Sequence, residues 1–374
     1  MMFRRLKTKV IAGIPTLSLL VAAAPAMAAN VDVMGDNSTT GPSSINRNTY
    51  RVNDSSRSYV RNFGDVLNKG FVDAFTGNND QNHNTTGGSL ATGGLTGGAD
   101  WNAVVNAAAG LVGLDSELDV MGDFMNDTTG PNSRNVNRLT VRSHDSLYLR
   151  NLAYITNILD VDHRSGDNDQ NHNTTAGGIM TGGTNVDVST DSSANNSDGA
   201  LAADNSSTVN VVGENNTTGP HSENVNRYRI NNQSKSRISN KADVVNVVDV
   251  KSRTGNNDQN NNTTGGDIET GSVDVTVNHT TTANNSGGGA GSSSSTSVDA
   301  DFENNTTGPN SSNTNTVDVN NSSSTSVENK AEVTNITSVD AHTGNNESSN
   351  NTEGGSIQTG DVDFNFSSNT EVNS

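Results

Sequence analysis

From Asn240 to Val250 the chain alternates between two kinds of residue. Asn240, Ala242, Val244, Asn246, Val248 and Val250 fall on one side, with Lys241, Asp243 and Asp249 among those on the other. A period of two is the signature of a β-strand with one face turned inward. The same inward row reads Asn151, Ala153, Ile155, Asn157, Leu159, Val161 earlier in the chain and Asn329, Ala331, Val333, Asn335, Thr337, Val339 later. These rows predict strands whose buried face mixes aliphatic side chains with asparagine. Two stretches break the pattern. Leu95 to Leu118, rich in Ala, Leu and Val and holding the sole tryptophan, Trp101, predicts a short helix or covering element, and the Gly/Ser tract from Ser286 to Ser297 predicts a loop.

The rows recur because the chain is a tandem repeat. Thr39-Thr40-Gly41-Pro42 returns as Thr128-Thr129-Gly130-Pro131, Thr217-Thr218-Gly219-Pro220 and Thr306-Thr307-Gly308-Pro309, each 89 residues after the last. The copies are placed at 31–119, 120–208, 209–297 and 298–374, the last one cut short. The spacing Gly-x-x-x-x-Asn-x-Asn appears at Gly41, Asn46, Asn48 and Gly77, Asn82, Asn84, then at Gly130, Asn135, Asn137 and Gly166, Asn171, Asn173. It continues at Gly219, Asn224, Asn226 and Gly255, Asn260, Asn262, and at Gly308, Asn313, Asn315. Repeats of one supersecondary unit bury their apolar faces by stacking. Gly and Asn accept the left-handed backbone that corners require, and inward Asn can bond along a stack as side-chain ladders do. The expected fold is therefore all-β: an elongated β-solenoid of four 89-residue repeats. Gly41, Gly77, Gly93 and Gly130 are separated by 36, 16 and 37 residues, close to multiples of 18, which predicts five rungs per copy. The alternative is a string of β-sandwich domains of similar size. Disorder, which low hydrophobicity and high charge also suggest, is opposed by the fixed spacing.

Residues 1–28 change the setting. Arg4, Arg5, Lys7 and Lys9 precede an apolar run from Val10 to Ala24 and then Ala26-Met27-Ala28, the pattern of a secretory signal peptide cut after Ala28. The chain is thus expected outside the cell or on its surface, with no membrane span after cleavage. It has no cysteine, which excludes disulfides and thiol chemistry. Only 30% of its residues are hydrophobic, so a thick apolar core is not available. The net charge of -19 becomes -23 without the leader, which speaks against nucleic acid as a partner.

No Gly-x-Ser-x-Gly elbow appears, and the equivalent His83 and His172 give way to Asn261 and Asn350, so no enzyme is expected and no cofactor. Gly77 to Asn84, with its equivalents, spaces oxygen ligands at alternate positions as calcium loops do, and makes Asp80, Asp169 and Asp258 candidate ligands. It lacks the loop glycine and the closing Glu, and Asn ladders account for the same residues. Basic residues concentrate on the strand-like stretches. They are Arg47, Arg51, Arg57, Arg61 and Lys69, then Arg134, Arg138, Arg142, Arg150 and Arg164, then Arg227, Arg229, Lys235, Arg237, Lys241, Lys251 and Arg253, against Lys330 alone in the fourth copy. The copies carry net charges of -5, -6, -1 and -11. Such a stripe is either a salt-bridged solvent face or a surface for an acidic polysaccharide or the acidic end of another copy. The expected role is that of a non-catalytic adhesive component of the cell surface or matrix, self-assembling into fibres. A carbohydrate-binding or polysaccharide-processing solenoid and a calcium-dependent surface module are the alternatives.

In Thr76-Gly77-Asn78-Asn79, Asn84-Thr85-Thr86-Gly87-Gly88 and Ile179-x-Thr181-Gly182 the chain resembles uncharacterised Asn/Gly-rich repeat proteins secreted by bacteria. In composition it is similar to the repeats of bacterial curlin fibres, without their Gln-Gly-Asn spacing. The resemblance implies a secreted β-repeat protein and brings no activity with it.

Overall fold

Inward rows of small, aliphatic and amide side chains allow strands to stack directly on their own copies, and the computed structural model is built this way. It describes residues 7–11, 16–18, 27–107, 112–196, 201–285 and 290–373. All sheet pairing is parallel, and between repeats residue i lies beside residue i+89. Each repeat therefore supplies one strand to each of four sheets. The long sheet comprises Ile45–Gly77, Arg134–Gly166, Glu223–Gly255 and Ser312–His342. The entry sheet comprises Met27–Asp36, Val112–Thr129, Leu201–Thr218 and Ala290–Thr307. Short strands at Leu90–Thr92, Ile179–Thr181, Ile268–Thr270 and Ile357–Gln358 form a corner sheet, and Leu95–Ala107, Thr184–Ala194, Val273–Ala283 and Val362–Val372 a return sheet.

The all-β solenoid of four repeats stands, but the 18-residue rung does not. One rung is one whole repeat. The 36 residues from Gly41 to Gly77 form the outward run along the long sheet, and the 37 from Gly93 to Gly130 form the run back through the return and entry strands. The two runs match in length because they close one flattened loop. At about 4.8 Å per layer the stack is short along its axis, whereas a 33-residue strand has a contour of about 110 Å. The long dimension runs along the strands. Cut at the corner after the return strand, the described layers are 27–107, 112–196, 201–285 and 290–373, and each contains one strand of every sheet. The alternative, a string of β-sandwich domains, is excluded by sheets shared among all four repeats.

Leu95–Ala107 is strand rather than helix, and the expected covering element is part of the stack; residues 108–111 lie outside the described residues. Trp101 points inward, and its ring lies over Gly70, where an added Cβ would stand 2.6 Å from it. A large residue in one strand fills the space left by a small one in the facing strand. The tract expected as a loop is strand from Ala290 onward, and 286–289 lie outside the described residues. Of the expected leader, Lys7–Ile11 runs parallel to Thr96–Asp100 and Thr16–Ser18 beside Val104–Ala107, extending the return sheet by one edge.

One face of the long sheet covers both runs of the return path. Val120, Phe124, Val209 and Val211 of the entry sheet pack on Leu139, Val141, Tyr228 and Ile230. Val186, Val188, Val275 and Val277 of the return sheet pack on Leu159, Val161, Val248 and Val250. Between the apolar rows lie buried amides, each bonded to its copy one layer on. Asn68 donates to Asn157 at 2.8 Å, Asn157 to Asn246 at 2.7 Å and Asn246 to Asn335 at 2.8 Å, always Nδ2 to Oδ1. A fully paired amide column removes the penalty of burying polar groups where aliphatic side chains are scarce.

The glycines are required by close approach between layers as much as by backbone angle. A Cβ on Gly166, whose φ is +127°, would stand 1.7 Å from the Gly255 carbonyl oxygen. At the Thr-Thr-Gly-Pro corner the left-handed residues are Thr39, Thr128, Thr217 and Thr306, not the glycine; a Cβ on Gly130 would instead meet the Gly41 carbonyl carbon at 2.5 Å.

Replacing Asn246 by Ala breaks a column on both sides and is expected to cost about 3 kcal/mol. Val245→Ala, on the outer face beside it, should cost less than about 1 kcal/mol. Urea denaturation midpoints compare the two.

Candidate functional site

Strand parity decides which side chains reach the outside. In the long sheet the even residues of the first and third repeats and the odd residues of the second face inward, so the arginines take the other face. Arg47, Arg51, Arg57 and Arg61 lie there in the first layer. Arg134, Arg138, Arg142 and Arg150 lie in the second, and Arg227, Arg229 and Arg237 in the third. The sequence stripe is thus one broad face over the first half of the long sheet. Ion pairs join three of these residues to the next layer: Arg134 to Glu223 at 3.0 Å, Arg229 to Asp318 at 3.2 Å and Arg237 to Glu328 at 3.5 Å. All are half exposed, and each contributes little. Arg57 rests over the Tyr148 ring at 5.2 Å. Arg47, Arg51, Arg61, Arg138, Arg142, Arg150 and Arg227 enter no ion pair formed among the described residues.

The remaining outer positions of the first layer carry a row that sequence reading did not single out. Tyr59, Phe63, Leu67, Phe71 and Phe75 alternate with charged residues and are strongly exposed, Phe71 by 67%. The alternation had the signature of a strand, but it could not say which face was wet.

The Asn/Gly residues are brought together in columns, as expected, though not all in one way. Asn46, Asn135, Asn224 and Asn313 form an amide column with steps of 2.8, 2.9 and 2.8 Å. Asn48, Asn137, Asn226 and Asn315 form a second, cross-bonded to Asn37, Asn126, Asn215 and Asn304. At the far corner the amides meet backbone instead. The N–H of Asn171 donates to the Asn82 Oδ1 and that of Asn260 to the Asn171 Oδ1, both at 2.5 Å. The N–H groups of Asn84, Asn173 and Asn262 donate to the side-chain oxygens of Asn173, Asn262 and Asn351, each at 2.7 Å. The strands have ended there, so the side chains stand in for a regular ladder.

The histidines belong to the same scheme. His83 and His172 stack with ring centroids 4.9 Å apart, and with Asn261 and Asn350 they form a column of left-handed corner residues. His163 is buried, and that burial lowers its pKa; neither ring nitrogen has a hydrogen-bond partner. His279 is held between Thr190 Oγ1 at 2.6 Å and Thr337 Oγ1 at 2.8 Å. None of these lies beside an acid and a nucleophile in an acyl-transfer arrangement.

The candidate calcium residues do not converge. Asp80, Asp169 and Asp258 lie one above another in successive layers, followed by Glu347. Each Asp already accepts a hydrogen bond on Oδ1 from the Asn two residues on, namely Asn82, Asn171 and Asn260. Among the described residues no group of three or more His, Asp or Glu is arranged to hold a metal ion. Partial burial, and then the neighbouring carboxylates, raise the pKa of Asp169 and Asp258.

The two ends of the stack are its other distinctive surfaces. The fourth layer has one neighbour only, and so has the first except along its return strand, where Lys7–Ile11 and Thr16–Ser18 lie on the edge; the other sheet edges end there. In the fourth layer Val319, Val327, Ile336, Val362, Phe364 and Phe366 are exposed, and Phe364 and Phe366 line an open groove with Asn335, Thr337, Val339 and Ala341. No helix among the described residues is long and apolar enough to cross a membrane. No family model, curated protein or solved structure matches the chain.

The Asp258 column sets a pH dependence. Its folded-state pKa is raised, so ionisation costs stability above that pKa, and the cost vanishes below the unfolded value of about 3.9. Asp258→Asn is expected to stabilise the protein at pH 7 by less than about 1 kcal/mol, since the site is partly exposed, and to have no effect near pH 3. Urea midpoints at the two pH values measure the difference.

Proposed function

We propose that this chain is a non-catalytic structural component secreted to the cell surface or matrix, where copies join through the ends of their stacks. The carrying observation is that the stack ends in two layers whose 33- and 31-residue long strands, Ile45–Gly77 and Ser312–His342, have an unpaired backbone edge; the return strand of the first layer is covered only by residues 7–18 of the leader-like segment, and the fourth layer also exposes apolar side chains. A parallel edge of this length templates another strand unless it is blunted, and neither end carries a proline or bulge within its long strand. The leader-like residues 1–28 support secretion, and the absence of cysteine suits a stack held by backbone and amide columns.

The arginine face supports an adhesive contribution. Eight guanidinium groups of this face enter no ion pair among the described residues, and their spacing in layers about 4.8 Å apart suits an acidic polymer whose charges recur at similar distances. Polysaccharide processing has less support, because the exposed aromatics on the outer face of the long sheet are confined to the first two layers among the described residues.

The chain with residues 1–28 removed should form filaments visible by negative-stain microscopy, with a reflection at about 4.8 Å along the filament axis. Monomers that persist across salt and pH would overturn the assembly reading. Polygalacturonate should be retained by the protein at low salt and released when Arg138, Arg142 and Arg150 are all replaced by Ser. Equal retention by that variant removes the arginine face from the account.

A further inference from the structure

Resting on the assembly reading above, we infer that copies stack head to tail in a single register, with the fourth layer of one molecule against the first layer of the next. Residue i of the fourth layer then lies beside residue i−267 of the following copy, continuing the 89-residue step without a break.

Glycine in the first layer points to a layer before it. At the Thr-Thr-Gly-Pro corner, a Cβ on Gly130 would strike Gly41 at 2.5 Å and one on Gly219 would strike the Gly130 carbonyl carbon at 2.6 Å, whereas one on Gly41 would meet nothing within 4 Å. At the far corner a Cβ on Gly182 would stand 2.2 Å from the Gly94 nitrogen, and one on Gly93 again meets nothing. Neither Gly41 nor Gly93 has a positive φ. Within one molecule nothing requires glycine there; a preceding fourth layer does.

The polar columns end ready to continue. Along the columns that begin at Asn46, Asn62 and Asn68, Nδ2 donates toward the C-terminal layer, so the side-chain oxygen of each first member and the onward donor position of each last member have no partner in the column. In the fourth layer Asn313 and Asn335 turn Nδ2 to Ser311 and Ser368 of their own layer instead. In the inferred register Asn313, Asn329 and Asn335 meet Asn46, Asn62 and Asn68 of the next copy, so that each column continues once Asn313 and Asn335 turn their Nδ2 groups from Ser311 and Ser368 to the new layer.

The aromatic column fixes the phase. Tyr50, Phe124, Tyr228 and Phe302 stack through successive layers at 5.8, 4.9 and 5.9 Å. Phe comes from the entry strands of layers two and four, and the corresponding residues of layers one and three are Gly35 and Gly213. A Cβ on Gly35 would stand 2.9 Å from Phe124, and one on Gly213 2.9 Å from Phe302. Tyr comes from the long strands of layers one and three. The true period of the packing is therefore two repeats, and a molecule of four layers ends in phase. Tyr50 of the next copy follows Phe302 as Tyr228 follows Phe124. With residues 1–28 removed, which frees the edge that Thr8–Val10 cover, the exposed Phe364 and Phe366 meet the small residues Gly97 and Ala99.

Two opposite-charge pairs form in this register. Asp318 meets Arg51 of the next copy and Glu328 meets Arg61. Inside the molecule these arginines lie beside Thr140 and Arg150, without a carboxylate. Asp32, Asp36, Asp65, Asp73 and Asp80 meet Asp299, Glu303, Glu332, Asp340 and Glu347, so charge is not the driving force. Like-charged columns of this kind already run inside the molecule at Asp80, Asp169 and Asp258.

The cysteine-free chain gives a direct test. In Arg57→Cys/Ser324→Cys, made in the chain with residues 1–28 removed, the two thiols lie three layers apart in one molecule, beyond the reach of a disulfide, but are neighbours across the inferred junction. Oxidised assemblies should run as a ladder of covalent multimers on a non-reducing gel. Arg61→Cys/Ser324→Cys, displaced by four residues, should not. Gly41→Ala should keep the monomer's circular dichroism and urea midpoint, yet slow filament elongation by about tenfold through overpacking at the junction. Filaments with no multimer ladder from the first pair, with a ladder from the displaced pair, or with unchanged growth by Gly41→Ala overturn the register and leave the assembly reading intact. Absence of filaments from the unsubstituted chain overturns both.

Discussion

Every feature of this protein depends on like residues lying directly over like at one spacing. A parallel in-register ladder gives each backbone group a partner in the adjacent layer, and it forces each side chain to share its column with its own equivalents. Apolar columns bury area, amide columns bond to themselves, and columns at the tightest corners must be glycine. Charged residues tolerate this poorly indoors and well outdoors, which is why Asp145, held by Ser56 and Ser116, is an exception among buried residues. Asparagine is the side chain that suits the scheme best: it carries a donor and an acceptor on one planar group and can pass the bond along.

Much of this was legible in the sequence. The period of two from Asn240 to Val250 identified the inward row, because alternation is a direct projection of the strand. The 89-residue step was visible in the Thr-Thr-Gly-Pro corners. The size of the rung was not, since a glycine marks a corner without saying how the chain runs to the next one; the near-equal spans from Gly41 to Gly77 and from Gly93 to Gly130 are the two sides of one loop. Trp101 and its apolar neighbours looked like a separate element because their column contains a tryptophan only once. The explanation lies in Gly70 on the facing strand, which no local pattern connects to it.

The candidate surfaces show the same division. The arginines could be counted along the chain, but their collection on one face required the parity of each strand. The corner columns of Asn82 and Asn84 were expected to bond amide to amide, and instead a backbone N–H meets a side-chain oxygen, that of Asn171 donating to Asn82 and that of Asn84 to Asn173, because the ladder lapses where the chain turns. Phe302 and Gly213 become meaningful only when residues 89 apart are known to touch. Complementarity between Asp318 and Arg51 becomes readable only at 267.

The uniform separation of partners also governs how such a chain reaches its native state. With almost all strand pairing between residues 89 apart, no sheet contact can form locally ahead of the rest, and the loop-closure entropy of the first layer pair falls due at once. The nucleus must contain about two complete repeats, after which each later one is added to an edge already in place. Folding is thus slow to begin and quick to extend, a kinetic asymmetry that resides in the connectivity rather than in any single contact.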